Sequence, residues 1–289
     1  MVIQGRELSE EDVRLIQQLL EDHPDWCRSR LSQELCSRWD WRNARGQAKD
    51  MSARSMLLKL EQKGHIQLPP RRGPSPNGRR NQRLAELAPP AGEPIHGPLR
   101  GLRPLLVSIA APGSADWRLF NGLIAGYHYL GLRNAAGENI RYLVRDRNGR
   151  PAACLLFGAA AWKCAARDAW IGWSPAVRGR NLQGLANNAR FLVVPWADVP
   201  CLASHVLGLL ARRIRADWQA KYGHPVHAIE TFVDRSRHRG TCYQAANWIR
   251  LGETAGRTRN DRHKRIRVPA KDVYIYPLAP DARRELSGR

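Results

Sequence analysis

The stretch that decides the fold is ETFVDRSRHRGTCYQAANW, residues 230–248. It continues a run, Val226–Val233, whose apolar residues read as a buried strand. The strand ends at Asp234. A turn carrying Arg235, Arg237, His238 and Arg239 follows, and Gly240–Trp248 reads as the start of a helix. Side chains alternate along a strand, so Glu230 and Asp234, four apart, share a face. Asp234 stands at the C-terminal end, where sites in α/β proteins usually open.

Working outward, Ala189–Val194 is a second apolar strand, stopped by Pro195, and Leu202–Lys221 reads as one long helix carrying Leu207, Leu210, Ile214 and Trp218. Upstream, Ile140–Arg145 and Ala152–Phe157 flank Asp146-Arg-Asn-Gly-Arg150, an Asn-Gly signal for a hairpin. Leu105–Ala110 reads as a strand, Asp116–Leu130 as a helix and Val273–Tyr276 as a final strand. A hairpin followed by alternating strands and helices predicts an α/β (α+β) domain around one mixed sheet over residues 104–289.

The N-terminal part has a different period. Ser9 is an N-cap before three acids, and Val13, Ile16, Leu19 and Leu20 follow at helical spacing. Further helices fit Cys27–Arg38 and Asp50–Lys63, with Gly64 closing the last, and His65–Leu68 reads as a short strand. Three helices, a strand and a basic tail predict a small winged-helix-like DNA-binding domain over residues 1–68. The polar groups then best placed for DNA are Arg42, Arg45, Gln47, Lys49, Ser52, Arg54, Ser55 and Lys59, with Arg71 and Arg72 just beyond. A small helical docking module with ordinary solvated charges is the alternative. Trp39 and Trp41 read as packing residues. Residues 69–103, rich in Pro, Gly and Arg, read as a basic linker.

Composition bounds the function. Among 289 residues, 47 Lys+Arg stand against 26 Asp+Glu, a formal net charge of +21 that points to a polyanion partner, most often nucleic acid. The charge is uneven. Residues 1–68 hold 11 basic and 11 acidic residues, whereas Arg235–Lys271 holds 11 against 2. Within that stretch Arg257, Arg259, Arg262, Lys264, Arg265 and Arg267 form a loop suited to tracking phosphates. No apolar run is long enough for a membrane span, and no secretory leader opens the chain. The six cysteines show no CxxC pair, so a cytoplasmic protein with reduced thiols and no structural zinc is expected.

Several strings carry a resemblance: LFNGLIAGYHYLG from Leu119, LLFGAAAWKCAARDAWIGW from Leu155, NNARFLVVPW from Asn187, LASHVLG from Leu202, and the opening stretch continued to Arg257. They resemble the Druantia anti-phage protein A (DruA) family, which is also encoded beside transposases in mobile elements. Asp234, His238, Gly240, Thr241, Tyr243, Gln244 and Ala245 further resemble the strand-to-helix motif of a remote GNAT acetyltransferase-like fold of the phage Mom type. That likeness implies a GNAT-like mixed sheet, Tyr243 as a general acid, and acetyl-CoA as cofactor. One departure argues against acetyl-CoA. Trp196–Ser204, where a glycine loop would cradle the pyrophosphate, contains no glycine.

The candidate catalytic residues are Glu230, Asp234, His238 and Tyr243. Glu230 and Asp234 serve as an acid/base pair or hold a divalent metal, with Asp168 as a third carboxylate of nuclease or transposase type. The alternative pairs each carboxylate with a nearby arginine. His205 and His238 suit a metal site or proton transfer, or else a helix cap or packing. Tyr243 suits acid catalysis or the core, and Cys242 lacks an evident base. Asn187, Asn188 and Arg190 line a pocket or end a loop. Trp162, Trp170 and Trp173 stack on bases of an opened strand or pack in the core. The expected function is a DNA-binding protein of anti-phage defence or a mobile element, its second domain engaging and modifying nucleic acid. A metal-dependent nuclease and a non-catalytic adaptor that recruits other defence proteins are the alternatives.

Overall fold

The computed structural model describes residues 2–3, 6–42, 46–70, 91–133, 135, 137–256 and 269–288. The chain divides into two compact units, Met1–Gly78 and Arg79–Arg289.

In the first unit a two-residue hairpin, β1 (Val2–Ile3) with β2 (Arg6–Glu7), precedes α1 (Glu10–Asp22), α2 (Arg28–Arg38) and α3 (Asp50–Gln62). Ser9 starts α1 with a complete capping box: its Oγ accepts from the Asp12 amide while its own amide donates to the Asp12 carboxylate. The core joins Ile16 and Leu19 of α1, Leu31 and Leu35 of α2, and Met56, Leu57 and Leu60 of α3. Trp41 is buried in it, and Trp39 lies under the Arg6 guanidinium. The strand expected over His65–Leu68 does not form. Ile66 and Leu68 do point inward alternately, but the segment folds back on the helices. Its backbone is met by the Gln17 amide and the Glu61 carboxylate rather than by another strand.

The second unit is a mixed α/β structure around a seven-stranded sheet. Its strands in chain order are β4 (Leu106–Ile109), β5 (Asn139–Arg145), β6 (Pro151–Ala159), β7 (Leu185–Val193), β9 (Ala228–Asp234), β10 (Ile249–Glu253) and β11 (Lys271–Pro277). Across the sheet they run β10-β11-β9-β7-β6-β5-β4. Every pairing is antiparallel except β7 with β9. Asp146 sets the β5–β6 turn, its carboxylate accepting from the Asn148 and Arg150 amides.

One face of the sheet packs Tyr142, Phe157, Ile229 and Val233 against α7 (Leu202–Ala211) and α8 (Ile214–Tyr222), with Leu207, Leu210 and Trp218 between. The opposite face is covered by α4 (Ala115–Tyr127) over Leu143, Cys154 and Leu192. On that face Leu185, Ala228 and Ile275 meet α5 (Ala165–Ile171), α6 (Pro175–Asn181) and α10 (Ala282–Ser287). The expected single helix over Leu202–Lys221 is two, because the chain breaks at Arg212-Arg213. There Arg213 reaches the Val107 carbonyl on an edge strand and the Asp217 carboxylate.

Part of the expected linker also belongs to this unit. Ile95 is fully buried, and β3 (Ile95–His96) pairs in parallel with β8 (Ala197–Asp198), while residues 71–90 lie outside those described.

Candidate functional site

The site is made by two parallel strands that part. β7 and β9 pair only at Leu185–Ala228, Ala186–Ile229 and Asn187–Glu230. Beyond that, β7 continues to Val193 and β9 to Asp234 without pairing to each other. A β-bulge sits at the fork: Arg190 faces Leu156 and Asn188 faces Phe157, leaving Ala189 as the extra residue. The bulge keeps Ala186 and Phe191, five apart, on the same face of the sheet. Between the diverging strands lies a cavity of about 540 Å³, walled by β7, β9, the His128–Leu130 segment and the turn from Arg237 into α9 (Thr241–Ala245).

Three polar side chains close its inner end. Tyr243 Oη donates to Asn188 Oδ1 at 2.8 Å, and Thr231 Oγ1 donates to the Asn188 carbonyl at 3.0 Å. Tyr243 stacks on Tyr274 and meets Phe191 and Trp248 edge-on. Burial pushes its phenol above the usual range, so it stays protonated and remains a donor. Gly240 permits this packing. It adopts φ +72, and a Cβ there would lie 2.6 Å from Tyr274 Oη.

The outer end is cationic and aromatic. Tyr129 has His128 stacked beside it, His238 tilted against it at 5.5 Å, and the Arg237 guanidinium 5.1 Å from its centroid. Arg239 joins them at the cavity wall. The Leu130 amide donates to His128 Nδ1, leaving the ring proton on Nε2. Burial, with Arg190 and His238 nearby, lowers His128 to about 4. The imidazole is therefore neutral at physiological pH. Asp234 accepts from the Ser236 amide and hydroxyl, and these bonds hold its carboxyl below the usual range.

Of the four candidate catalytic residues, Asp234, His238 and Tyr243 line this cavity and Glu230 does not. Glu230 is fully buried. Its Oε2 accepts from Arg167 Nη1 at 2.7 Å and its Oε1 from the Ala161 amide at 2.7 Å. Asp168 is bound to the same arginine, through Nε at 2.8 Å, and also to Trp173 Nε1 and Arg178. The expected triad of Asp168, Glu230 and Asp234 is therefore not a metal centre. Arg167 bonds two of its members, Arg178 supplies a second charge at Asp168, and among the described residues no three His, Cys, Asp or Glu side chains could hold an ion. Cys242 also lines the cavity, and burial raises its thiol. His205 lies away from the cavity lining on α7.

The residues present do not fit acetyl-CoA. In the segment between β7 and α7, Pro195 and Pro200 carry no amide proton, and the Leu202 amide donates to the Val199 carbonyl. Cys201 takes the left-handed conformation, φ 64, with a side chain where a glycine would leave space. Pairing with β3 occupies the middle of the segment, the Ile95 amide donating to the Trp196 carbonyl.

The expected nucleic-acid contacts divide. Arg42, Gln47 and Lys49 are exposed ahead of α3, with Arg42 bonded to Asp40 and the Gly46 carbonyl. Arg54 is tied to Asp50 and Ser32, and Ser55 Oγ donates to the Met51 carbonyl. Ser52 and Lys59 are half-buried on the same helix. Arg45, Arg71, Arg72, Arg257, Arg259, Arg262, Lys264, Arg265 and Arg267 lie outside the described residues.

His128, Tyr129, Thr231 and Arg167 are not among the residues the sequence singles out. Tyr127-His-Tyr-Leu offered a signal, being polar aromatics at the end of an apolar helix. An arginine amid Ala165-Ala-Arg-Asp-Ala-Trp170 offered another.

A family model described as Druantia protein DruA matches residues 60–268. No curated protein matches the chain. Among solved structures, it is similar to the dodecameric spermidine N-acetyltransferase from Vibrio cholerae in an intermediate state, at 8% identity and a TM-score of 0.32, covering 48% of this chain and 65% of that one. The chain thus spans just under two thirds of that structure's length. It is similar to the spermidine/spermine N-acetyltransferase SpeG from Vibrio cholerae with manganese ions, at 10% identity and a TM-score of 0.38, covering 60% and 92%. A third, described as an acyl-CoA N-acyltransferase from Klebsiella pneumoniae, is 14% identical with a TM-score of 0.37, covering 61% and 99%.

Proposed function

The chain belongs to the Druantia protein DruA family, and from that membership we propose that it acts on DNA in anti-phage defence, its larger unit taking a nucleotide of the bound DNA into the cavity between β7 and β9. The observation that carries this reading is the make-up of that cavity. Its inner end offers Tyr243, Phe191 and Asn188, suited to a flat base with polar edges. Its outer end offers Arg237, Arg239 and His238, suited to phosphate. The net charge of +21 brings a polyanion to the protein, and the exposed Arg42, Gln47 and Lys49 give the first unit its own contacts to a duplex.

On this reading Tyr243 and Asn188 orient the base, Arg237 and Arg239 hold the backbone, and His238 at the mouth moves protons for modification of the base. A second reading is favoured by one observation. The Tyr243 hydroxyl is already engaged by Asn188, and Glu230 by Arg167. Such a cavity serves equally as the reader of a non-catalytic adaptor that recruits other defence proteins.

Affinity for a labelled duplex, measured against salt, tests the shared part. Log K is expected to fall with log salt at about −0.9 per neutralised phosphate. Absent or salt-insensitive binding overturns both readings. Mass spectrometry of nucleosides from DNA incubated with protein and cell extract separates them. A modified nucleoside lost in His238→Ala supports modification, and intact binding with unaltered nucleosides leaves the adaptor.

A further inference from the structure

We propose that the loop after β6 and the helix α6 form a second contact with nucleic acid, one that takes an unpaired strand by stacking a base on Trp162. The inference rests on the DNA reading above and adds a surface outside the cavity. Trp162 is 58% exposed, whereas a large aromatic side chain normally gains by burial. Its indole is also held in place. The Arg178 guanidinium lies 5.7 Å from the ring centroid.

Arg178 is in turn fixed from inside the protein. It donates to Asp168 at 3.2 Å, and Asp168 is gripped by Arg167 and by the Trp173 indole at 3.0 Å. Arg167 is locked to Glu230 on the central strand β9. A line of charge-assisted bonds thus runs from the middle of the sheet to a largely buried cation set against an exposed ring. A solvated loop needs no such support. A platform that must stay open while empty does.

The charge names the partner. Residues 160–184 hold four basic residues and one acidic one, and that acid, Asp168, is already taken by its donors. Lys163, next to Trp162 in sequence, is exposed, and so is Arg180 further along α6. A flat apolar surface on a segment with this excess of cations fits a partner that alternates flat rings with phosphates. A duplex buries the faces of its bases within its own stack, so only an unpaired strand uses the indole in this way.

The test uses the full chain, a fluorescein-labelled oligothymidylate of about 20 nucleotides, a duplex of equal length and vesicles containing phosphatidylserine. Binding is compared for the wild type, Trp162→Ala and Trp162→Phe. The exposure of Trp162 leaves both variants folded, which circular dichroism checks. Trp162→Ala is expected to weaken single-strand binding about tenfold, Trp162→Phe to restore most of it, and duplex binding to stay within about twofold. Equal single-strand affinity in wild type and Trp162→Ala overturns the proposal. So does a loss confined to vesicles, or one equally large for the duplex. A wild type that binds duplex but not oligothymidylate overturns this inference alone. One that binds neither overturns the DNA reading beneath it.

Discussion

Arg167 Nη1 stands 2.7 Å from Glu230 Oε2, and neither side chain has any exposed surface. Burial raises the Glu230 carboxyl, and Arg167 and the Ala161 amide oppose that rise. Removing one member of such a pair leaves the other charged and dry, which costs about 3–5 kcal/mol. Chemical denaturation of Glu230→Gln and of Arg167→Met is expected to show losses of that order. The double substitution Arg167→Met with Glu230→Met should recover much of it, because Asp168 keeps Trp173 and Arg178 as partners. Catalytic loss in Glu230→Gln without loss of stability would contradict a structural role.

The hydroxyl of Tyr243 donates to Asn188 Oδ1 inside the fork. Tyr243→Phe keeps the stack on Tyr274 but strips that bond. Leaving the buried side-chain Oδ1 of Asn188 without its donor costs about 1–3 kcal/mol. The denaturation midpoint should fall accordingly, and Tyr243→Phe with Asn188→Ala should cost less than the two single losses added together.

Gly240 is where the cavity's turn has no room for a side chain. Gly240→Ala forces a Cβ to within 2.6 Å of Tyr274 Oη at φ +72. The left-handed backbone alone costs about 1–2 kcal/mol. A loss of at least that size is expected in thermal or denaturant unfolding, with a change in near-ultraviolet circular dichroism as Tyr274 and Tyr243 shift. A Gly64→Ala control shares the positive φ, 76, but meets nothing within 4 Å, so it should cost only the backbone share.

His128 links stability to pH. Its folded value, about 4, lies below its ordinary 6.5, so between those values the unfolded chain binds a proton that the folded chain refuses. Its contribution is complete above about pH 6.5 and is lost as the pH falls toward 4. The melting temperature should therefore drop across that window, and His128→Gln should flatten the drop. Proton NMR of the His128 ring should place its midpoint near 4.

What the sequence made legible was local. Alternation along β9 placed Glu230 and Asp234 on one face, and Asn-Gly at 148–149 marked the β5–β6 turn, because both signals act within a few residues. The partner of Glu230 was not legible. Arg167 is 63 positions away, and nothing in Ala165–Trp170 says which strand it will meet. The break at Arg212-Arg213 was hidden for a related reason, since Leu207, Leu210, Ile214 and Trp218 keep helical spacing across it. At the break Arg213 donates to a distant carbonyl, that of Val107. β10 was missed because the helix before it ends early. Asn247, at φ 61, turns the chain so that Ile249–Glu253 joins the sheet. His65–Leu68 shows the converse: alternation predicted which residues face inward, but a strand also needs a neighbour.

The parting of β7 and β9 has a consequence for how the cavity should respond to mutation. A sheet normally shows unpaired peptide groups only at its rims, yet past Asn187 and Glu230 these two central strands no longer bond to each other. The molecule thereby carries an interior rim, where the Asn188 carbonyl is met by the Thr231 hydroxyl rather than by a peptide amide of β9. A guest held by peptide groups is insensitive to the identity of the side chains around it. If a nucleotide enters the cavity as proposed, side-chain truncation along residues 189–193 and 231–233 is expected to understate any contribution of that stretch's peptide groups to binding. Replacing single peptide amides with esters along the same stretch would expose it.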